Sequence, residues 1–187
     1  KDARNFVETA YIPDVLLAAT YYKGEGLAGV GGGVQNYLCY GGFPLDDDWS
    51  TTLFPRGVVK GRNLAKPLQL DENKITEEVT HSWYKGTKPE HPYEGTTEPE
   101  YTGYDGNGYL KGNEKYSWCK APRFDGEPYE VGPLARMVVG YALGDKRIKP
   151  LVEGTLNKTG LPVSALFSTL GRTAARAIET KLVGDQI

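Results

Sequence analysis

The passage Tyr116–Met137, Tyr-Ser-Trp-Cys-Lys-Ala-Pro-Arg-Phe-Asp-Gly-Glu-Pro-Tyr-Glu-Val-Gly-Pro-Leu-Ala-Arg-Met, restricts the fold of this chain more than any other. It forces an extended entry, a turn and a helix start in quick succession. Tyr116, Trp118 and Lys120 alternate with Ser117, Cys119 and Ala121, which predicts a short extended segment, and Pro122 biases Ala121 toward the same conformation. Phe124-Asp125-Gly126 reads as a turn. Gly132-Pro133 then opens a helix, because proline lacks only an N–H that the first turn would leave unpaired. The spacing carries that helix to Leu143 and stops it at Gly144.

Two more helices are predicted downstream. Asp145 can cap one over Lys146–Lys158, ending at Gly160. The other starts near Pro162 and runs to Val183, with Val163, Leu166, Leu170, Ala174, Ala177, Ile178 and Leu182 on one face. Its Gly171, Ala174 and Ala175 would let another helix approach closely. Upstream, Phe6–Lys23 has helical periodicity interrupted by Pro13, so one kinked helix or two short ones would fit. Gly24–Gly33 reads as a flexible loop that ends it. Gly24-Glu-Gly26-Leu-Ala-Gly29 matches a dinucleotide fingerprint with Asp46–Asp48 at a plausible offset. That fingerprint must follow a strand and open a helix, and neither condition holds in this pattern.

Short strands are expected over Asn36–Tyr40 and Leu53–Lys60, separated by Gly41-Gly42-Phe43-Pro44 and by Asp46-Asp47-Asp48. The aspartates lack the alternation, central glycine and closing glutamate of a calcium loop and read as a solvated turn. Asp71–Glu78 reads as a short acidic helix. Lys85–Glu114 is a long irregular excursion, in which Tyr93, Tyr101, Tyr104 and Tyr109 could stack on sugars or bases but more simply pack the loop itself. The fold class is therefore mostly α with short β-strands and long loops. Within a single domain, residues 1–33 form helix and Gly-rich loop, 34–130 short strands and long loops, and 131–187 helices.

A net charge of −2 advertises no nucleic-acid or anionic-membrane surface, and no apolar run approaches the roughly 20 residues of a membrane span. The chain opens at Lys1-Asp2-Ala3-Arg4-Asn5, without a starting Met or a signal peptide, which is expected of a fragment. Cys39 and Cys119 make no Cys-x-x-Cys pair and are expected to be buried small apolar side chains. With two cysteines and two histidines, His81 and His91, the chain lacks the ligand count of a soft-metal site. It carries no Gly-x-Ser-x-Gly, phosphate loop or His-Glu-x-x-His. Asn157-Lys158-Thr159 is a glycosylation triplet of the kind that arises often by chance.

Ser117-Trp-x-Lys-Ala-Pro-Arg123 followed by Glu130-Val-Gly-Pro-Leu-Ala-Arg136 resembles the central part of the large subunit of nickel-iron hydrogenases, especially the periplasmic, membrane-associated hydrogen-uptake group. His81-Ser-Trp-Tyr84, His91-Pro-Tyr-Glu-Gly-Thr-Thr-Glu-Pro99 and Ser168-Thr-Leu-Gly-Arg172 recur in that family in the same order, so the resemblance covers essentially the whole chain.

The resemblance implies a parent enzyme that splits H2 into protons and electrons at a NiFe(CN)2CO centre. The electrons would pass to iron-sulfur clusters of a small subunit and then to a quinone-linked membrane acceptor. It further implies a periplasmic complex exported on the small subunit's signal. In the family the metals sit on four cysteines in two Cys-x-x-Cys pairs near the ends of the subunit, and neither pair is in this chain. Arg123 belongs to the central motif and not to the family's catalytic Ala-Pro-Arg-Gly, so no catalytic or metal-ligand residue is carried over. His81 is the one residue with an implied role, as a hydrogen-bonding neighbour of the partner's proximal iron-sulfur cluster, the alternative being a satisfied interface or core histidine. His91, in a Pro-flanked loop, is expected to be structural. Two other readings come from different classes: a glycan- or protein-binding module using the 85–114 loop, and a standalone structural protein that has lost its site.

Overall fold

The computed structural model of the chain describes residues 2–95, 97–104, 107–108 and 115–186. The chain forms two compact units, Lys1–Leu70 with Glu130–Ile187, and Asp71–Tyr129. The strands after Gly33 thus fold with the helices rather than with the irregular middle.

In the first unit, Pro13 does not break its helix. Asp2–Phe6 (α1) passes through a single wide turn, Val7–Tyr11, into Ile12–Tyr21 (α2), and the Ile12 N–H bonds back to Val7 O. Opening the ladder just before Pro13 accommodates both the missing N–H and the ring, which would otherwise press on the preceding turn. The expected Gly-rich loop is partly helical: Lys23–Leu27 (α3) makes a further turn. Gly26 allows this by lying against Leu170, where a Cβ would sit 2.9 Å from Leu170 Cδ2. The fingerprint glycines therefore follow one helix and begin another.

The strands form one interrupted antiparallel hairpin. Tyr37–Cys39 (β1) pairs with Gly57–Val59 (β4), and Gly42–Pro44 (β2) pairs with Thr52–Phe54 (β3) in the same register. Gly42-Phe43-Pro44, expected only as a separator, thus supplies a strand. At the hairpin tip the Asp46 carboxylate accepts from Ser50 Oγ and the Thr51 N–H, each at 2.8 Å, which agrees with a turn closed by its own acid.

Pro133–Ala142 (α4) is the central helix. Its N-cap, Gly132, has φ 98°, and Leu134, Ala135, Met137, Val138 and Val139 are all buried. Val139 with Leu143 crowds the hairpin at Gly57, and Gly140 meets the next helix, Ile148–Thr159 (α5), so closely that a Cβ would lie 2.4 Å from Ile148 Cδ1. Asp145 caps α5 as expected, accepting the N–H groups of Arg147 and Ile148 at 2.8 and 3.1 Å, and Gly160 closes it at φ 63°. The long third helix is interrupted. Val163–Leu166 forms a 3-10 turn, and the helix proper is Thr169–Gly184 (α6), started by Ser168, whose Oγ accepts the Gly171 N–H at 3.0 Å. The serine cap outweighs the continuous apolar face, because it satisfies an N–H that the broken ladder would leave unpaired. Leu166, Ala177, Ile178 and Leu182 are buried as the face requires, together with Gly171 and Ala175. Arg136 of α4 and Glu179 of α6 tie these helices by a two-pronged ion pair at 2.8 and 2.7 Å.

In the second unit the expected acidic helix is a 3-10 turn, Glu72–Lys74, leading into a strand, Ile75–Glu78 (β5). Ile75 and Thr76 are β-branched and find a partner in Ala121–Phe124 (β6), which outweighs the local helical reading. The regular strand therefore begins later than the Tyr116–Lys120 alternation predicts. Pro122 is tolerated because it faces Glu77, whose N–H turns away to Glu90 O at 2.9 Å. Asp125 and Gly126, at φ 53° and 74°, make the tight turn that was expected there, with Phe124 and Glu127 exchanging backbone bonds at 3.0 Å. Among the described residues no helix is long and apolar enough to cross a membrane.

Candidate functional site

Two of the sequence motifs lie side by side in the second unit. The Trp83 N–H donates to Ser117 O at 2.8 Å, and the Tyr116 N–H donates to His81 O at 2.9 Å, so His81-Ser-Trp runs parallel to Tyr116-Ser-Trp. Ser82, buried, donates its hydroxyl to Cys119 O at 2.5 Å, and Ser117 Oγ accepts the Cys119 N–H at 2.9 Å. Trp83 is buried as well, donates its indole N–H to Lys115 O at 2.9 Å, and has Tyr101, Tyr104 and Trp118 packed edge-on around it. The Ser82 hydroxyl and the Trp83 indole and backbone N–H groups thus tie the segment that carries His81 to residues 115–119.

His81 is exposed, with its ring stacked on Tyr116 at 5.6 Å between centroids. It lines an open hollow of about 420 Å³ with Glu78, Tyr116, Cys119 and Arg123. Among the described residues its ring nitrogens have no protein hydrogen-bond partner. An imidazole held in this way can donate or accept a bond toward whatever covers the hollow. Cys119 corrects an expectation: it is exposed, whereas Cys39 is buried. Both backbone polar groups of Cys119 are taken by serines, which holds its chain at the surface. Burial pushes the Cys39 thiol up from its usual range.

His91 is tied into its own loop. Its Nδ1 accepts the Tyr93 N–H at 3.2 Å and its Nε2 lies 3.2 Å from Glu72 O, a pattern that matches a structural role. Tyr101 and Tyr104 pack on Trp83, as the loop-packing reading expects, and Tyr93 is 94% exposed, with its ring stacked on His91. Tyr109 and 110–114 lie outside the described residues. Tyr101 and Tyr104 thus meet the loop-packing expectation, whereas Tyr93 departs from it, because among the described residues its ring finds only His91 as a neighbour and stays almost wholly exposed.

In the first unit the motifs meet through charge. Glu130 opens Glu-Val-Gly-Pro and Arg172 closes Ser-Thr-Leu-Gly-Arg; Arg172 Nε and Nη2 donate to the Glu130 carboxylate at 2.7 and 2.6 Å. Each arginine of the Arg136–Glu179 and Arg172–Glu130 pairs has its pKa raised by the hydrogen bonds to its carboxylate. Sequence reasoning missed both pairs, although each pairing residue but Glu179 sits inside a recognised motif.

The two cysteines belong to different units, and among the described residues no three His, Cys, Asp or Glu side chains gather closely enough to hold a metal ion. This donor set does not fit a nickel-iron centre.

The description "Nickel-dependent hydrogenase" matches residues 1–187. The chain is 42% identical over 198 residues to the quinone-reactive Ni/Fe-hydrogenase large chain of Wolinella succinogenes, covering 99% of this chain and 34% of that one. It is 44% identical over 202 residues to the uptake hydrogenase large subunit of Bradyrhizobium diazoefficiens, covering 97% and 33%. Among solved structures it resembles the H2-activated [NiFeSe]-hydrogenase of Dm. baculatum with a TM-score of 0.74 and 30% identity, over 98% of this chain and 36% of that one. The Ni-Fe-Se hydrogenase of D. vulgaris Hildenborough in its reduced state gives 0.71 and 34%, over 97% and 36%. The chain spans about a third of the length of these relatives. Since the match runs through every motif placed above and through the whole chain, this protein belongs to the nickel-dependent hydrogenase family.

Proposed function

We propose that this chain is the central part of one domain of a hydrogenase large subunit, and that the whole enzyme oxidises H2 to protons and electrons. The observation that carries this reading is the end-to-end family match, with motifs that pack against one another in pairs. The nickel-iron centre would be held by cysteine pairs elsewhere in the subunit, because the donors here do not fit it. This chain's part is then the scaffold and one face of the subunit. His81, stacked on Tyr116 and exposed, would hydrogen-bond to the proximal iron-sulfur cluster of the small subunit or to its ligands. The electrons would continue to a quinone-linked acceptor, in keeping with the Wolinella relative's description as quinone-reactive, and the complex would be periplasmic and membrane-associated.

Hydrogen-dependent dye reduction by the complete complex tests the activity; a complex that is fully assembled but inert would refute it. Made alone, the 187-residue chain is expected to bind no stoichiometric nickel by elemental analysis and to reduce no dye, and one nickel per chain would overturn the placement of the metal site. For His81, H81A in the complex is expected to shift the proximal cluster's potential. An unchanged potential and electron-transfer rate would remove its role.

A further inference from the structure

The three consecutive glycines Gly31–Gly33 lie between α3 and β1, and what they offer their surroundings is carbonyl oxygens. Arg172 Nη1 donates to Gly31 O, and Nη2 donates to Gly32 O at 3.3 Å. With the two bonds to Glu130 at 2.7 and 2.6 Å, four of the five N–H groups of this guanidinium have partners. Arg62 Nη2 reaches the same Gly32 O at 3.0 Å, and its guanidinium carbon lies 5.0 Å from the Phe167 ring centre.

With Arg62, Arg172 and Thr169 in place there is no room for a side chain at any of the three. A Cβ on Gly33 would lie 2.8 Å from Arg172 Nη2, one on Gly32 2.7 Å from Arg62 Nη2, and one on Gly31 2.1 Å from Thr169 Oγ1. Gly31 and Gly33 also have φ of 72° and 59°, a backbone that glycine adopts without strain. Residues far apart in the chain thus converge on one planar cation.

We infer that the Glu130 carboxylate and the Gly31 and Gly32 carbonyls form a preorganised guanidinium-binding site, filled in cis by Arg172, whose occupancy holds residues 29–36 in shape. The ligand class is a planar guanidinium. An ammonium presents three donors from a point and cannot pair both carboxylate oxygens while reaching two carbonyls. The Arg172 and Glu130 side chains are only 22% and 15% exposed, so an emptied site would leave a largely buried carboxylate without its cation.

The test is chemical rescue. R172A is made in the complete subunit with its partner, and hydrogen exchange is followed in peptides spanning 25–38, in which the Gly29, Val30 and Leu38 N–H groups donate to the Gly26, Glu25 and Glu130 carbonyls. Exchange there is expected to quicken about tenfold or more, a loss of roughly 1.4 kcal/mol. Millimolar guanidinium, far below denaturing concentrations, should restore protection in that segment, whereas ammonium or sodium chloride at equal ionic strength should not. Unchanged exchange in R172A, or equal effects of the three salts, would overturn the inference. Should R172A fail to accumulate, E130Q keeps the shape of the site and removes its charge. It should loosen the same peptides without guanidinium rescue, and unaltered exchange in E130Q would equally overturn the inference.

Discussion

Gly171→Ala gives a test in which packing and helix propensity predict opposite signs. Gly171 lies in the first turn of α6, where exchanging glycine for alanine ordinarily stabilises a helix by up to about 1 kcal/mol. Here the added Cβ would sit 2.0 Å from Leu166 O and 2.5 Å from Leu166 C. Both are backbone atoms of the 3-10 turn that crosses the start of α6, so no side-chain rotation relieves the clash. Overpacking against movable side chains costs about 1–3 kcal/mol. A backbone contact this short must displace the turn, and with it the Ser168 cap, itself worth about 1 kcal/mol. The expected net loss is about 3 kcal/mol, which would raise exchange in α6 peptides about a hundredfold. Gly154→Ala in α5 is the matched control, because nothing lies within 4 Å of its Cβ position. It should slow exchange severalfold, by up to about 1 kcal/mol. Measured by hydrogen exchange in the complete subunit, G171A at or above the unaltered protein's protection would refute the packing argument, whatever G154A does.

The Asp145 cap should show in the pH dependence of α5. Burial raises this carboxyl's pKa, but the Arg147 side chain and the Arg147 and Ile148 N–H groups outweigh it and hold the value below the usual range. A depressed folded-state pKa contributes stability above the unfolded value of about 3.9 and loses it as pH falls through the folded value. Protection of α5 should therefore drop below about pH 4, and D145N should flatten that drop; identical acid profiles would refute the cap's electrostatic role. Thiol labelling should separate the cysteines in the isolated chain: Cys119 should react with a maleimide under native conditions, and Cys39 only after unfolding. Equal native rates would contradict the burial of β1.

Local chemistry is what the sequence by itself determined. Gly132-Pro133, Gly144, Asp145 and Gly160 placed the starts and stops of α4 and α5, because a missing N–H, a left-handed residue or a capping carboxylate acts within one turn. Asp125-Gly126 placed a turn for the same reason. The motifs identified the family without locating any site in space. Tertiary structure decided whatever required a distant partner. Ile75–Glu78 became a strand because β6 was there to pair with it, and the apolar run from Pro162 was divided because Ser168 could cap a helix turned under the preceding 3-10 turn. Cys119 came to the surface because serines from two motifs hold its backbone. Gly31–Gly33 read as slack chain, since nothing local distinguishes a flexible glycine run from one shaped to fit. Only the arrival of Arg172 and Arg62, far along the sequence, shows that those glycines leave room for guanidinium groups bonded to their carbonyls.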